Sequence, residues 1–124
     1  MSLSGGTALT LPYEGTAQTG RMIDMDRIEE LRAEIGAEDL GLIISMFLDE
    51  ARATLDALPS ELQRQERSRA AHFLRSGALN IGFRGVAELA ARLEGGDGAD
   101  APRIVHALRD ALARSRAELG MCLA

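Results

Sequence analysis

The sequence predicts an all-α protein, an antiparallel up-down four-helix bundle with an additional short N-terminal helix. From Met22 onward the chain is dominated by Ala, Leu, Glu and Arg, which favour helices. Beyond that residue it contains only one Thr and two Val, whereas strands favour β-branched side chains. Apolar residues also recur at spacings of three and four, the period of a helix with one face on a core.

Composition divides the chain at residue 22. Residues 1–21 hold four of the five Thr and four of the 13 Gly, without a sustained apolar period. We therefore expect a flexible N-terminal arm over 1–21 and a helical bundle domain over 22–124. Short connections between amphipathic helices favour antiparallel neighbours.

The first two helices are bounded by capping and breaking residues. The first is predicted to begin near Asp24 or Asp26 and to end at Gly36. The second is predicted to end at Pro59. Its expected core positions are Leu40, Ile43, Ile44, Phe47, Leu48, Ala51, Leu55 and Leu58.

The remaining three helices are placed in the same way. The third is predicted to begin with Ser60 as its N-cap and to end near Ile81, followed by Gly82. Its expected core positions are Ala70, Phe73, Leu74, Gly77 and Ile81. The fourth is expected to end at Gly95, and the fifth to begin around Pro102. Their expected core positions are Val86, Leu89, Ala90, Leu93, Ile104, Leu108, Ala111, Leu112 and Leu119.

Composition argues against several classes of function. The formal charge of -5 disfavours attraction to nucleic acid or acidic lipid. No apolar run approaches the roughly 18 residues of a membrane span, so we expect a cytoplasmic protein. The single cysteine excludes a zinc site made of several cysteines. The sequence contains no Glu-x-x-His pattern, which a carboxylate-bridged metal site in a helical bundle would require. It also contains no Lys, which a P-loop requires.

The two histidines have different expected settings. His106 points away from the apolar stripe of its helix, so we interpret it as an ordinary surface residue. His72 lies about 100° from Phe73 around the helix, outside the predicted stripe, and is expected to be exposed. Arg69 and Arg75 lie one turn to either side. Their guanidinium groups are expected to pair with a phosphoryl group once it is attached to the imidazole.

The stretch from 71 to 82, Ala-His-Phe-Leu-Arg-Ser-Gly-Ala-Leu-Asn-Ile-Gly, resembles the signature of the histidine-containing phosphotransfer (HPt) family. The matching positions are Leu74, Gly77, Ala78, Asn80, Ile81 and Gly82. The resemblance extends over about residues 23–120. Arg75 stands where the family usually has Lys, and Ser76 stands where it usually has Gly.

The resemblance implies that His72 carries a phosphoryl group between aspartates of response-regulator receiver domains, supplied by a hybrid sensor histidine kinase. The residues expected to stabilise the phosphoryl group are Arg75, Arg69 and Ser76, and those expected to contact the partner are Gly77, Leu79 and Gly82. No cofactor of the chain itself is implied, because the receiver supplies Mg²⁺. We expect a monomer, since one chain provides four helices.

Two other interpretations remain open at this stage. In the first, His72 is an ordinary surface histidine, and the protein is a helical adaptor that binds receiver or kinase domains without carrying phosphate. Alternatively, the chain is half of a dimeric kinase-type bundle. An exposed imidazole favours the relay, whereas a buried, hydrogen-bonded one favours the adaptor.

Overall fold

The computed structural model describes residues 22–58, 63–96 and 98–123. Its elements are α1 (Met25–Ile35), α2 (Ala37–Asp56), α3 (Arg64–Ile81), α4 (Arg84–Gly95) and α5 (Ala101–Leu123). These residues contain no strand, which confirms the predicted all-α class. The predicted arm over residues 1–21 lies outside the described part of the chain.

Local polar contacts explain where the helices begin and end. Asp24 caps α1, because its carboxylate accepts hydrogen bonds from the N–H groups of Asp26 and Arg27 at 3.1 and 3.3 Å. Gly36 and Gly82 follow α1 and α3 with φ of 88° and 85°, a region that favours glycine. Both glycines were predicted as helix ends.

The predicted start of the third helix was wrong. Gln63 is extended, with φ -76° and ψ 153°, and is the residue that precedes the first helical turn of α3. Its backbone N–H donates to Glu66 Oε1 at 3.4 Å, which occupies one of the groups left unpaired at a helix start. Ser60, the expected cap, lies outside the described residues.

The helices pack into one bundle. The most extensive contacts join α3 to α4, followed by those between α4 and α5. Helix α2 contacts both α3 and α5, so α2 to α5 surround a shared core, and α1 packs on α2 and α3. The antiparallel up-down order of the helices stays a prediction.

The core of α3 matches the predicted one in part. Ala70, Leu74 and Ile81 are buried as predicted, but Phe73, expected inside, is 36% exposed, and Ala71 and Ala78 are fully buried instead. Small alanines take the deep positions because α3 packs closely on α4, so a stripe chosen by side-chain size is displaced toward α2. In α2, Ile43 was also expected in the core but is 42% exposed.

The segment before α1 is tied to the bundle by hydrogen bonds that its backbone N–H groups donate. Glu118 Oε1 on α5 accepts from the N–H groups of Met22 and Ile23 at 2.8 and 2.9 Å. The N–H of Asp24 donates to the carbonyl oxygen of Gly82 at 2.7 Å. These bonds join the start of α1 to the end of α3 and to α5, and so hold the C-terminal half of α3 in place.

Candidate functional site

His72 lies on the solvent-facing side of α3. Its neighbours Ala71 and Leu74 are fully buried, and this sets the rotation of the helix about its axis. The imidazole is exposed, as the sequence predicted. A side chain in this position is accessible to a second protein without any rearrangement of the bundle.

The two arginines that flank His72 have different partners. Arg75 Nη1 lies 3.4 Å from Glu94 Oε1 on α4, and the two side chains are 48% and 31% exposed. Arg69 is exposed and forms no ion pair with any residue in the described part of the chain. One cation beside the imidazole is therefore shared with a carboxylate, and the other is available to an incoming anion.

Two further residues extend this face of α3 beyond the histidine. Ser76, one turn after His72, is exposed, and its hydroxyl is one of the nearest neutral polar groups on the same face. Leu79, two turns after His72, is 56% exposed. Both residues therefore lie where the sequence placed them, although their roles stay predictions.

Gly77 and Gly82 are occupied by contacts within the protein. A Cβ atom on Gly77 would lie only 2.5 Å from Cε1 of Phe47, so this glycine allows α2 to approach α3 closely. Gly82 is buried, and a Cβ there would lie 3.1 Å from the carbonyl oxygen of Asp24. These contacts give both glycines a structural role, and docking through them stays a prediction that their positions do not support.

An apolar groove lies between α2 and α3, and one of its lining residues is Phe73, which follows His72 in the chain. It has a volume of about 250 Å³. Its lining residues are Ile43, Met46, Phe47, Glu50 and Phe73. Met46 is 62% exposed, and the adjacent Leu42 is 56% exposed. Several large apolar side chains in and near this groove are thus exposed, and exposed apolar surface of this kind marks protein interaction sites.

Phe47 connects this groove to the core. Its ring centroid lies 6.2 Å from that of Phe73 on the groove side and 6.1 Å from that of the fully buried Phe83. The Phe47–Phe83 contact is edge-to-face, at 87°. Phe73 is therefore supported from behind by a buried ring while part of its own surface faces solvent.

Sequence reasoning missed the groove, because it assigned Ile43 and Phe73 to core positions. The signal that points to it is the excess of apolar residues in α2. Leu42, Ile43 and Met46 lie outside the stripe formed by Leu40, Ile44 and the buried residues that follow. A helix that packs on one core needs only one such stripe, so a second one indicates a second surface.

The described residues form neither a cluster of metal ligands nor a membrane-spanning helix. No three His, Cys, Asp or Glu side chains within 22–58, 63–96 and 98–123 come together as metal ligands. None of the helices described there has both the length and the hydropathy that crossing a bilayer requires.

Comparison with known families agrees with this geometry. A family model described as Hpt domain matches residues 42–118, which is more than half of the chain. The matched region begins in α2, includes all of α3 and α4, and extends into α5. No curated protein and no solved structure matches the chain significantly.

Proposed function

The chain belongs to the Hpt domain family, and on that premise we propose that His72 accepts a phosphoryl group from one receiver-domain aspartate and passes it to another. The observation that carries the proposal is the exposed imidazole on α3, with Arg69 and Arg75 at a distance of one turn. The family as a whole acts in two-component phosphorelays. The identification of His72 as the phosphorylated residue is our proposal for this chain.

The reaction requires a positioned nucleophile and little else from this protein. A ring nitrogen of His72 attacks the phosphorus of an aspartyl phosphate, a P–N bond forms, and the P–O bond to the aspartate breaks. The aspartate carboxylate leaves with the electron pair, and the reverse reaction returns the phosphoryl group to a second receiver. Catalysis of this kind depends on placement and electrostatic stabilisation.

The flanking residues support the charge that develops on the phosphoryl oxygens. Arg69 and Arg75 lie at positions i−3 and i+3, within reach of a group attached to the outward-facing ring. Guanidinium groups form strong charge-assisted hydrogen bonds with phosphate. Ser76, at i+4, offers a hydroxyl that donates to the same oxygens. We propose that Mg²⁺ is held by the receiver, and that this chain needs no cofactor of its own.

The apolar groove is the proposed docking surface for the receiver. Phe73, which follows His72 on α3, lines this groove together with Met46 of α2, so a partner that buries the groove also contacts the helix that carries the imidazole. Leu79 adds exposed apolar surface on the face of α3 that carries His72. Burial of such side chains contributes roughly 25 cal/mol per Å² of apolar area. We propose that receivers and the kinase use this one surface in turn, on a monomeric cytoplasmic protein.

The exposed ring also bears on the adaptor alternative. A phosphoryl carrier needs an exposed imidazole and a nearby cation, and His72 with Arg69 provides both, whereas an adaptor role requires neither. Arg69 and His72 therefore favour the relay.

The test compares the two histidines. Wild-type protein, His72→Gln and His106→Gln are incubated with Mg²⁺ and each phosphorylated receiver domain of the source organism. Acid-labile label is then measured after electrophoresis. We expect label on the wild type and on His106→Gln, and none on His72→Gln. Label that persists on His72→Gln contradicts the proposal.

A further inference from the structure

Glu94 is the only described residue seen to pair with an arginine beside His72. It lies near the end of α4, and the contact from its Oε1 to Arg75 Nη1 crosses from α4 to α3. The distance of 3.4 Å is long for a charge-assisted hydrogen bond, which is usually 2.7–2.9 Å between the heavy atoms. Arg75 is thus held by its partner, but only weakly.

We propose that Glu94 is a positioning residue that holds Arg75 before phosphorylation and releases it to the phosphoryl group afterwards. The inference rests on the proposed function of His72. In the unphosphorylated protein Arg75 is paired with Glu94 across α3 and α4. In the phosphorylated protein its guanidinium binds the phosphoryl oxygens, and Glu94 is left facing solvent.

The relative strengths of the two pairs support this exchange. Both side chains are substantially exposed, at 48% and 31%, and exposed ion pairs of this kind are weak because water screens them. A phosphoryl group carries a charge of about -1.5 to -2 near neutral pH and three acceptor oxygens, against a single charge on the carboxylate. The phosphoryl group therefore outcompetes Glu94 for the same guanidinium.

The exchange makes Glu94 a control on how firmly the phosphoryl group is held. The charged side chains that the structure places on or near this face are Arg69 and Arg75 on α3 and Glu94, which contacts Arg75 from α4, while Glu50 of α2 lines the neighbouring groove. Among these, Glu94 opposes the phosphoryl group both by competing for Arg75 and by its own negative charge. Its removal strengthens the hold on the phosphoryl group, and removal of Arg75 weakens it.

The experiment uses phosphoramidate as a chemical donor, so that no partner protein is needed. The P–N bond of phosphoramidate breaks, ammonia leaves, and a new P–N bond forms on the imidazole. The phosphohistidine signal is then followed by ³¹P NMR as a function of pH in wild type, Glu94→Gln, Arg75→Gln and the double variant. Glu88→Gln is the matched control, because Glu88 is exposed on the same helix and shows no bonded partner among the described residues.

We expect Glu94→Gln to lower the midpoint of the phosphoryl titration by about 0.3–0.7 pH unit, a two- to fivefold change in favour of the dianion. Arg75→Gln should raise the midpoint, and in that background Glu94→Gln should have less than half its effect. Equal midpoints in Glu94→Gln and Glu88→Gln would overturn this inference, and so would an equal effect of Glu94→Gln in the wild-type and Arg75→Gln backgrounds. Neither outcome would affect the proposed function of His72. Failure of His72 to be labelled in the wild type overturns the proposed function, and the inference falls with it.

Discussion

The two histidines of this protein share a local sequence but not an environment. His72 lies between Arg69 and Arg75, and His106 lies between Arg103 and Arg109 at the same spacing. Both imidazoles are exposed on long helices. Judged by sequence spacing alone, the two positions are nearly equivalent.

The surrounding helices make them different. Arg109 Nη1 lies 2.7 Å from Asp56 Oδ1 on α2, and Arg103 pairs with Asp100 one turn earlier on the chain. Both cations beside His106 are therefore already paired with carboxylates. Beside His72, Arg75 is held only at 3.4 Å and Arg69 has no ion pair among the described residues.

The two regions also differ in apolar surface. The exposed large apolar side chains of the described chain lie on α2 and α3, and they are Leu42, Ile43, Met46, Phe73 and Leu79. Helix α5, which carries His106, has none of them in its described part. The proposed phosphotransfer site at His72 therefore combines an exposed imidazole with a cation that has no ion pair and with a helix that carries exposed apolar surface, and His106 lacks the last two.

The largest expected effect is a difference in the free energy of unfolding between variants of the exposed Phe73 and the buried Phe83. If the Phe73 ring belongs to a docking surface, Phe73→Ala should reduce the free energy of unfolding by only about 1–2 kcal/mol, since the ring is 36% exposed. Phe83→Ala, which empties a fully buried position, should cost about 3–5 kcal/mol. Urea unfolding of both variants measures the difference. Equal losses would mean that Phe73 is a core residue and that its ring is not part of an exposed docking surface.

A smaller effect is expected from a charge placed in the groove. Met46 is 62% exposed, so Met46→Glu should change the free energy of unfolding by less than about 0.5 kcal/mol. It should nevertheless slow transfer from a phosphorylated receiver by about tenfold, because docking then buries an unpaired carboxylate. The control is Ala113→Glu, at an exposed position on α5. Equal transfer rates in the two variants would remove the groove from the docking surface.

The smallest expected effect is on the transfer rate, and it distinguishes the arginines beside His72 from those beside His106. Arg69→Gln should slow transfer to His72 about two- to fivefold, because it removes a cation that no carboxylate in the described structure competes for. Arg103→Gln removes the equivalent cation beside His106 and should leave the rate unchanged. Single-turnover transfer kinetics for the two variants measures this. A similar slowing in both would indicate a general effect of net charge.

Much of the fold was predictable because helix ends and apolar periodicity are local properties. Asp24, Gly36 and Gly82 mark helix ends through their own backbone and side-chain chemistry, and each was identified from the sequence. The exposure of His72 was predicted as well, although the stripe used to predict it was displaced. The prediction for His72 was nevertheless correct, because His72 lies outside both the predicted apolar stripe and the observed one. Phe73, by contrast, lies in the predicted stripe but outside the observed one.

The parts of the site that could not be predicted depend on distant contacts. The packing of Gly77 against Phe47 and the pairing of Arg75 with Glu94 both join different helices. Their geometry depends on the crossing of those helices, which residue spacing does not contain. The groove was hidden for the same reason, since the sequence does not say which of two apolar stripes on α2 meets the core.

The sequence by itself determined that this chain is helical, where most of its helices end, and that an exposed histidine stands between two arginines. It determined these because capping, periodicity and side-chain spacing act within a few residues. Only the tertiary structure decided which of two similar histidines has an available cation and an apolar surface beside it. That decision required Glu94, Asp56 and Met46 to be brought in from other helices, and the close packing of those helices on α3 and α5 set each distance.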